Sequence, residues 1–445
     1  VSRVGEFRDI EEAIEWITHL FPKGEKPGLR RMKLLMEKLG HPERQLEFIH
    51  VAGTNGKGST CALLTSVLLA GGYRVGTFTS PYLVRFSDRI RYNGANILDD
   101  TLLDLINRVK PIADEIAATE LLAPTMFDVA TALAILYYAT VVQPDVVVWE
   151  TGIGGRVDPT NIVTPLVSII TNIGFDHMEM LGDTVEKIAF EKAGIIKPGV
   201  PVVCAAEQPE ALAVIREQAE LRGSAFYVIN RDFAYESVRL AQEEHRFHYL
   251  GPFRRINNMQ ISMHGEHQLK NAAAALTAME LLRQDGWPLK DDALRDGLSR
   301  AAWPGRLEMV SAHPRILLDG AHNPEGAQAL SLALQRVYRY NRLHVMMGML
   351  GAKNHPGYLG HILPLADTLV ITEPDWHKKL NADSLAEIAV EELRRIGRTT
   401  KVVTIPDWRD ALDYLRTVTA EDDLAVITGT LYLISDVRSV LVEKN

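Results

Sequence analysis

From about Leu46 onward, short runs of apolar and β-branched residues alternate with longer segments of helical character, the pattern of a parallel sheet covered by helices. The first unit is a strand over Glu47–Ala52, a glycine-rich loop, and a helix over Ser59–Ala70 closed by Gly71 and Gly72. Further strands are predicted at Arg74–Thr79, Asp145–Trp149, Leu166–Thr171 and Val200–Cys204, and Asp88–Gly94, ending in Asn93-Gly94, predicts a hairpin turn between them. Phe233–Met263 differs. Its residue-by-residue alternation, as in His245-Arg246-Phe247-His248-Tyr249, predicts a small antiparallel excursion, followed by an alanine-rich helix over Leu269–Leu282.

Ser299–Arg306, with Trp303-Pro304-Gly305, reads as a linker. Beyond it the βα alternation restarts, with strands predicted at Arg315–Leu318, Leu343–Met347, Thr368–Thr372, Lys401–Ile405 and Leu424–Thr428. The fold class is therefore α/β: a P-loop domain with a mostly parallel sheet and a small antiparallel excursion over residues 1–299, then a second, Rossmann-like α/β domain over residues 300–445. A chain of 445 residues also exceeds what a single hydrophobic core usually organises.

Composition narrows the partners. Apolar residues at 47% and charged residues at 24% describe an ordinary globular chain, and a net charge of -9 gives no overall attraction for nucleic acid or anionic lipid. Small molecules are the expected ligands. Cys61 and Cys204 are too few for a disulfide framework and lie in no metal-ligand spacing. Val1–Trp16 lacks the apolar core of a signal peptide, and the longest apolar stretch, Ala132–Val142, is about half a membrane span, so the expected setting is the cytoplasm, away from membranes. A monomer is expected.

The loop Gly53-Thr54-Asn55-Gly56-Lys57-Gly58-Ser59-Thr60 lies between an apolar strand and a helix, where backbone N–H groups and the helix dipole surround phosphate oxygens and Lys57 reaches the β and γ phosphates. ATP is the expected ligand, although Gly58 separates Lys57 from Ser59, unlike the general pattern. Ser80, Glu150 and His177 each follow a predicted strand, as this loop does, and the strand ends of a parallel sheet share one ligand-binding edge. A hydroxyl and a carboxylate beside phosphates suit magnesium; an imidazole is a less usual partner.

The variant Gly-Thr-Asn-Gly-Lys-Gly-Ser resembles the Mur ligase superfamily, in particular its folylpolyglutamate synthase and dihydrofolate synthase branch. The resemblance continues through Thr79-Ser80-Pro81-Tyr82-Leu83, Glu150-Thr151-Gly152-Ile153-Gly154-Gly155-Arg156, Asp158-Pro159-Thr160-Asn161, Asp176-His177, Glu191-Lys192-Ala193-Gly194, Pro304-Gly305-Arg306 and Asp319-Gly320-Ala321-His322-Asn323-Pro324. It implies magnesium at Ser59, Ser80, Glu150 and His177, and a carbamylated lysine at Lys192. It further implies ATP contacts from Asn271, Arg306 and Asp319 across the domain interface, and roles for Arg89 and His322 toward the incoming glutamate or the transferred phosphate. His19, His41 and His50 belong to no such constellation.

The implied activity is ATP-dependent ligation of L-glutamate to the carboxylate of a reduced folate, through an acyl phosphate, with dihydropteroate as a possible further acceptor. Thr125-Met126-Phe127-Asp128, Thr430 and the loop Gly351-Ala352-Lys353-Asn354-His355 depart from the branch's usual residues, and these differences bear on pterin and glutamate specificity more than on the chemistry. The alternatives are a Mur-type ligase with another acceptor, disfavoured because the phosphate loop begins as early as Gly53, and a nucleotide-dependent binding switch, which has no use for Arg306, Asp319 and His322.

Overall fold

The computed structural model describes residues 6–22 and 28–442, so residues 1–5 of the segment read for a signal peptide lie outside it. Its first sheet contains β1 (Phe48–Ala52), β2 (Val75–Phe78), β3 (Ile90–Tyr92), β4 (Ala95–Asn96), β5 (Val146–Glu150), β6 (Val167–Ile170), β7 (Val202–Cys204) and β8 (Phe226–Val228). The order across it is β4-β3-β2-β5-β1-β6-β7-β8, parallel except where β3 meets β2 and β4. Both faces of the central strands are covered, which is why they read as continuous apolar runs. Ile49, Val51 and Val148 face one way, against helices Lys57–Ala70 and Glu266–Gln284; Phe48, Val147 and Trp149 face the other, against helix Met126–Tyr137.

The hairpin forms as expected: β3 and β4 pair antiparallel around Asn93 (φ 49°) and Gly94 (φ 82°), the left-handed pair a tight turn requires. The antiparallel excursion is also present, with β9 (Ala234–Ala241), β10 (Glu244–Leu250) and β11 (Arg255–Ile261) in the order β11-β10-β9. It buries Phe247, Tyr249 and Met259 against the alanine-rich helix, where the Tyr249 hydroxyl lies 2.9 Å from Thr277 Oγ1.

After helix Asp291–Arg300, a second sheet comprises β12 (Glu308–Ala312), β13 (Arg315–Leu318), β14 (Leu343–Met347), β15 (Thr368–Glu373), β16 (Lys401–Asp407) and β17 (Leu424–Thr428), in the order β12-β13-β17-β14-β15-β16. Only β12 runs antiparallel, at the edge. Helices Pro324–Arg336, His355–Ile362 and Ala382–Ile396 cover one face, and Trp408–Val418 and Leu431–Leu441 the other. The edge strands β8 and β12 escape a reading by pattern, because each is short and partly exposed and so lacks a strong apolar run. Among the described residues, no helix is long and apolar enough to cross a membrane.

In the first sheet the chain leaves β1 for β2 on one side and returns to β6 on the other. That reversal opens a crevice at the carboxyl end of β1, where ligands of such sheets bind. The second sheet presents the carboxyl end of β13 to the same crevice, through contacts described next.

Candidate active site

The loop after β1 is tied to the segment that follows β6. Thr54 Oγ1 accepts from Gly174 N (2.9 Å), Asn55 N donates to Asn172 Oδ1 (2.7 Å), and Thr171 Oγ1 donates to Asn55 O (2.6 Å). A Cβ on Gly53 would fall 1.8 Å from Thr171 Oγ1, and one on Gly56, at φ +82°, would fall 2.6 Å from Asn271 Oδ1. Glycine is therefore required at both places. The helix begins at Lys57, two residues before the expected Ser59, and Gly56 at its start has no side-chain cap, so its first N–H groups remain available. Lys57 Nζ rests on the loop's own carbonyls, 2.9 Å from Gly53 O and 3.4 Å from Thr54 O. In the first turn, Gly58 lies under Trp303, Ser59 Oγ accepts from Gln268 Nε2 (3.2 Å), and Thr60 Oγ1 is buried without a partner.

Glu150 ends β5 beside this loop. Burial pushes its carboxyl up to about 7, against the opposing pull of Lys57, the Ser80 N–H, Arg306 and Arg89. Ser80 N donates to Glu150 Oε2 at 2.8 Å, so the structure brings Ser80, Glu150 and Lys57 together. Arg89 is 4% exposed yet has no carboxylate partner: its guanidinium lies 5.0 Å from the Tyr82 ring and 5.6 Å from Phe86, and its Nε is buried without a hydrogen bond. Burial pulls its pKa down, while Tyr82, Tyr432 and Glu150 raise it. Lys192 is also buried, at 3% exposed, with no hydrogen bond or ion pair, and burial, reinforced by Lys57, pushes its ammonium down to about 7.

His177 follows β6 in a left-handed conformation (φ 50°), with 44% of its side chain exposed at the cleft. Desolvation among its neighbours, with Lys353, Lys57 and His322 nearby, lowers it to about 4 despite Asp176. Among the described residues, no three His, Cys, Asp or Glu side chains converge on one point as a metal site. Magnesium, which keeps several waters, asks for fewer protein ligands, and Ser80 with Glu150 meets that smaller demand. One oxygen of the buried Glu150 accepts from Ser80 N and the other takes no hydrogen bond, leaving a carboxylate that a divalent cation would keep ionised.

From the second sheet, the Asp319 carboxylate after β13 accepts from Leu307 N and Ala321 N, each at 3.0 Å. Burial raises its pKa, with Arg306 foremost among the groups opposing. Arg306 itself is half-buried and lies close enough to influence both Glu150 and Asp319. Asn271 donates to Gln268 Oε1 (2.9 Å) beside Gly56. His322 Nδ1 lies 2.9 Å from Gly320 O, and its Nε2 3.2 Å from Asp176 Oδ2.

The pattern along the chain does not single out Asp176, Asn323 or Lys353 as site residues. Burial alone would raise the Asp176 carboxyl, but His322, Lys353 (Nζ at 2.6 Å) and His177 together hold it well below the usual carboxylate range. The Asp-His and His-Asn-Pro runs were the available signal. His50, which belongs to no constellation in the sequence, is buried 3.0 Å from Thr160 Oγ1 and pushed down to about 3 by burial.

Comparison with known proteins agrees with this architecture. The model of the Mur ligase middle domain matches residues 51–279, and that of the Mur ligase glutamate ligase domain matches residues 305–431. The chain is 40% identical to the dihydrofolate synthase/folylpolyglutamate synthase of Bacillus subtilis, covering 98% of this chain and 100% of that one. It is 36% identical to the folylpolyglutamate synthase of Lacticaseibacillus casei, over 97% and 98% of the two chains. The solved structure of Mycobacterium tuberculosis folylpolyglutamate synthase complexed with ADP superposes with a TM-score of 0.90 at 29% identity, over 97% of this chain and 98% of that one. With both domains matched and full-length relatives at this identity, the chain belongs to the Mur ligase family, in its folylpolyglutamate synthase and dihydrofolate synthase branch.

Proposed function

We propose that this chain is an ATP-dependent ligase that joins L-glutamate to the carboxylate of a reduced folate. The observation that carries the reading is the meeting, in one crevice, of an uncapped phosphate loop with Lys57, the buried Glu150 beside Ser80, and second-domain groups Arg306, Asp319 and His322. The relatives' names and the ADP complex of the mycobacterial structure support the same substrates.

A carboxylate is a poor acyl donor until its oxygen becomes part of a better leaving group. A folate carboxylate oxygen attacks the γ-phosphorus of ATP and ADP leaves, giving the acyl phosphate. The glutamate amine then attacks the acyl carbon; phosphate leaves and the amine's proton is lost to solvent, yielding the amide. Lys57 exchanges its bonds to Gly53 O and Thr54 O for phosphate oxygens, and the free N–H groups of the helix start receive the rest. Arg306, at the end of the linker, stabilises charge on the phosphoryl group as it moves. Ser80 and Glu150, with Ser59 and His177 beside the loop, would hold magnesium, which when bound neutralises phosphate charge. Arg89, buried with no anion of its own, is suited to receive a substrate carboxylate.

Lys192 is proposed to carry a carbamate. Its amine, held near 7, is substantially neutral at physiological pH and so can add to carbon dioxide, and a carbamate would replace a buried unpaired cation with oxygens near the cleft. Mass spectrometry of products after offering tetrahydrofolate and dihydropteroate separately, each with ATP and glutamate, tests the function. Products heavier by one glutamyl residue, with stoichiometric phosphate release, are expected. Phosphate release indifferent to glutamate would reject it.

A further inference from the structure

The Asn323 side chain is 2% exposed, lies at the boundary between the two sheets, and uses every hydrogen-bonding position it has. Its Oδ1 accepts from Gly326 N (2.8 Å), capping helix Pro324–Arg336, and from Asn55 Nδ2 of the phosphate loop (3.1 Å). Its Nδ2 donates to Asn55 Oδ1 (3.0 Å) and to Asp176 Oδ2 (3.2 Å). Two donors and two acceptor positions are all an amide side chain offers, so none is spare. The same Asp176 oxygen lies 3.2 Å from His322 Nε2, while the other carboxylate oxygen holds Lys353 Nζ at 2.6 Å.

These contacts are directional. Asn55 faces Asn323 through a reciprocal amide pair, and its backbone is tied to the end of β6 by Thr171 and Asn172. Any change of the loop that rotates Asn55 must break that pair or drag Asn323 with it. Asn323 shares an acceptor with His322, its immediate neighbour in the chain, so a shift of Asp176 and Asn323 takes away the partner of His322 Nε2 and leaves the ring held only through Nδ1 on Gly320 O. Lys353, in the loop after β14, gives Asp176 a further anchor.

We infer that Asn323 and Asp176 are positioning residues, forming a relay through which the nucleotide state of the phosphate loop sets the orientation of His322. The inference rests on the ligase reading only for the identity of the second substrate, glutamate. Chemistry in the second domain would thus be aligned after the phosphate loop is filled.

The test uses the full chain with Asn323→Asp and Asn323→Ser. Both keep an oxygen to cap the helix; Asp, ionised, loses both donated bonds, and Ser, with a single O–H on a shorter side chain, cannot make both. The readouts are ATP affinity by calorimetry, the KM for glutamate against kcat, and the His322 ring resonance in histidine-labelled protein, with and without a non-hydrolysable ATP analogue. The relay requires ATP affinity within about twofold of the parent while the glutamate KM rises roughly tenfold or more. It also requires that the analogue shift the His322 resonance in the parent and fail to shift it in either variant. A resonance that moves equally in parent and variants, or in none of them, overturns it. So does ATP affinity falling as much as the glutamate KM rises, which would make Asn323 a nucleotide ligand. If the parent does not use glutamate at all, the ligase reading falls, and the ring resonance still decides the relay.

Discussion

Two strand–loop–helix units face each other across the crevice, and they end their strands in opposite ways. After β1 the helix starts on Gly56 with no side-chain cap, and a lysine stands beside its free N–H groups. After β13 the helix starts on Asn323, whose side chain already occupies Gly326 N, and acidic and imidazole groups precede it. The same supersecondary unit therefore becomes an anion receptor in one place and a rigid support in the other, according to whether its orphan donors are left open. Caps elsewhere in the second sheet follow the supporting pattern: Asn354, Asn381 and Asp407 each fill the first turn of a helix.

The largest effect should come from Lys57→Ala, which removes the cation from the open helix start. Turnover measured by phosphate release should fall about a thousandfold or more, with unfolding free energy within about 0.5 kcal/mol of the parent. Normal turnover would break the distinction between the two units. Lys192→Ala comes next, with activity down about a hundredfold. In the parent, stripping bicarbonate should lower activity reversibly, and labelled bicarbonate should give a carbamate signal by carbon-13 NMR; a fully active enzyme with an unmodified amine would refute this.

Glu150 lets the comparison be sharpened by pH. Its carboxyl sits at about 7 in the fold against an ordinary 4.5, so between those values the folded state binds the extra proton. Stability from this group is thus lost as pH climbs through that window, and Glu150→Gln should recover on the order of 3 kcal/mol at pH 8 and almost nothing at pH 4. Urea unfolding of the metal-free protein at both values measures it, and equal shifts would contradict the sign. Lys192 acts in the other direction, since its lowered ammonium makes stability rise as pH moves from about 7 toward 10.5. The smallest effect belongs to Asn381→Ala, which removes a cap (Ser384 N at 2.8 Å) in the second sheet and should cost about 1 kcal/mol without changing kcat.

The sequence made most of this arrangement readable where one strong local rule applied. Continuous apolar runs located β1, β5, β6 and β17; Asn93-Gly94 located the hairpin; glycines around Lys57 located the phosphate loop. What it could not supply was tertiary: that a lysine at the end of helix Val185–Ala193 is buried without a partner, or that Asp176 would meet three groups from a stretch of chain more than a hundred residues away. An edge strand such as β12 also gives little signal, since none of its residues is fully buried.

The packing of Trp303 has an optical consequence. This indole sits in the linker, against the first turn of the phosphate-loop helix where Gly58 leaves room for it, and the Arg91 guanidinium lies 5.5 Å from its ring. Emission from an indole reports the polarity and charge around it, so the molecule carries a native fluorophore at the joint between its two halves. Among the chain's six tryptophans, Trp303 is the one packed on Gly58 in the first turn of the nucleotide-loop helix, and its colour would register a change of surroundings there without any label.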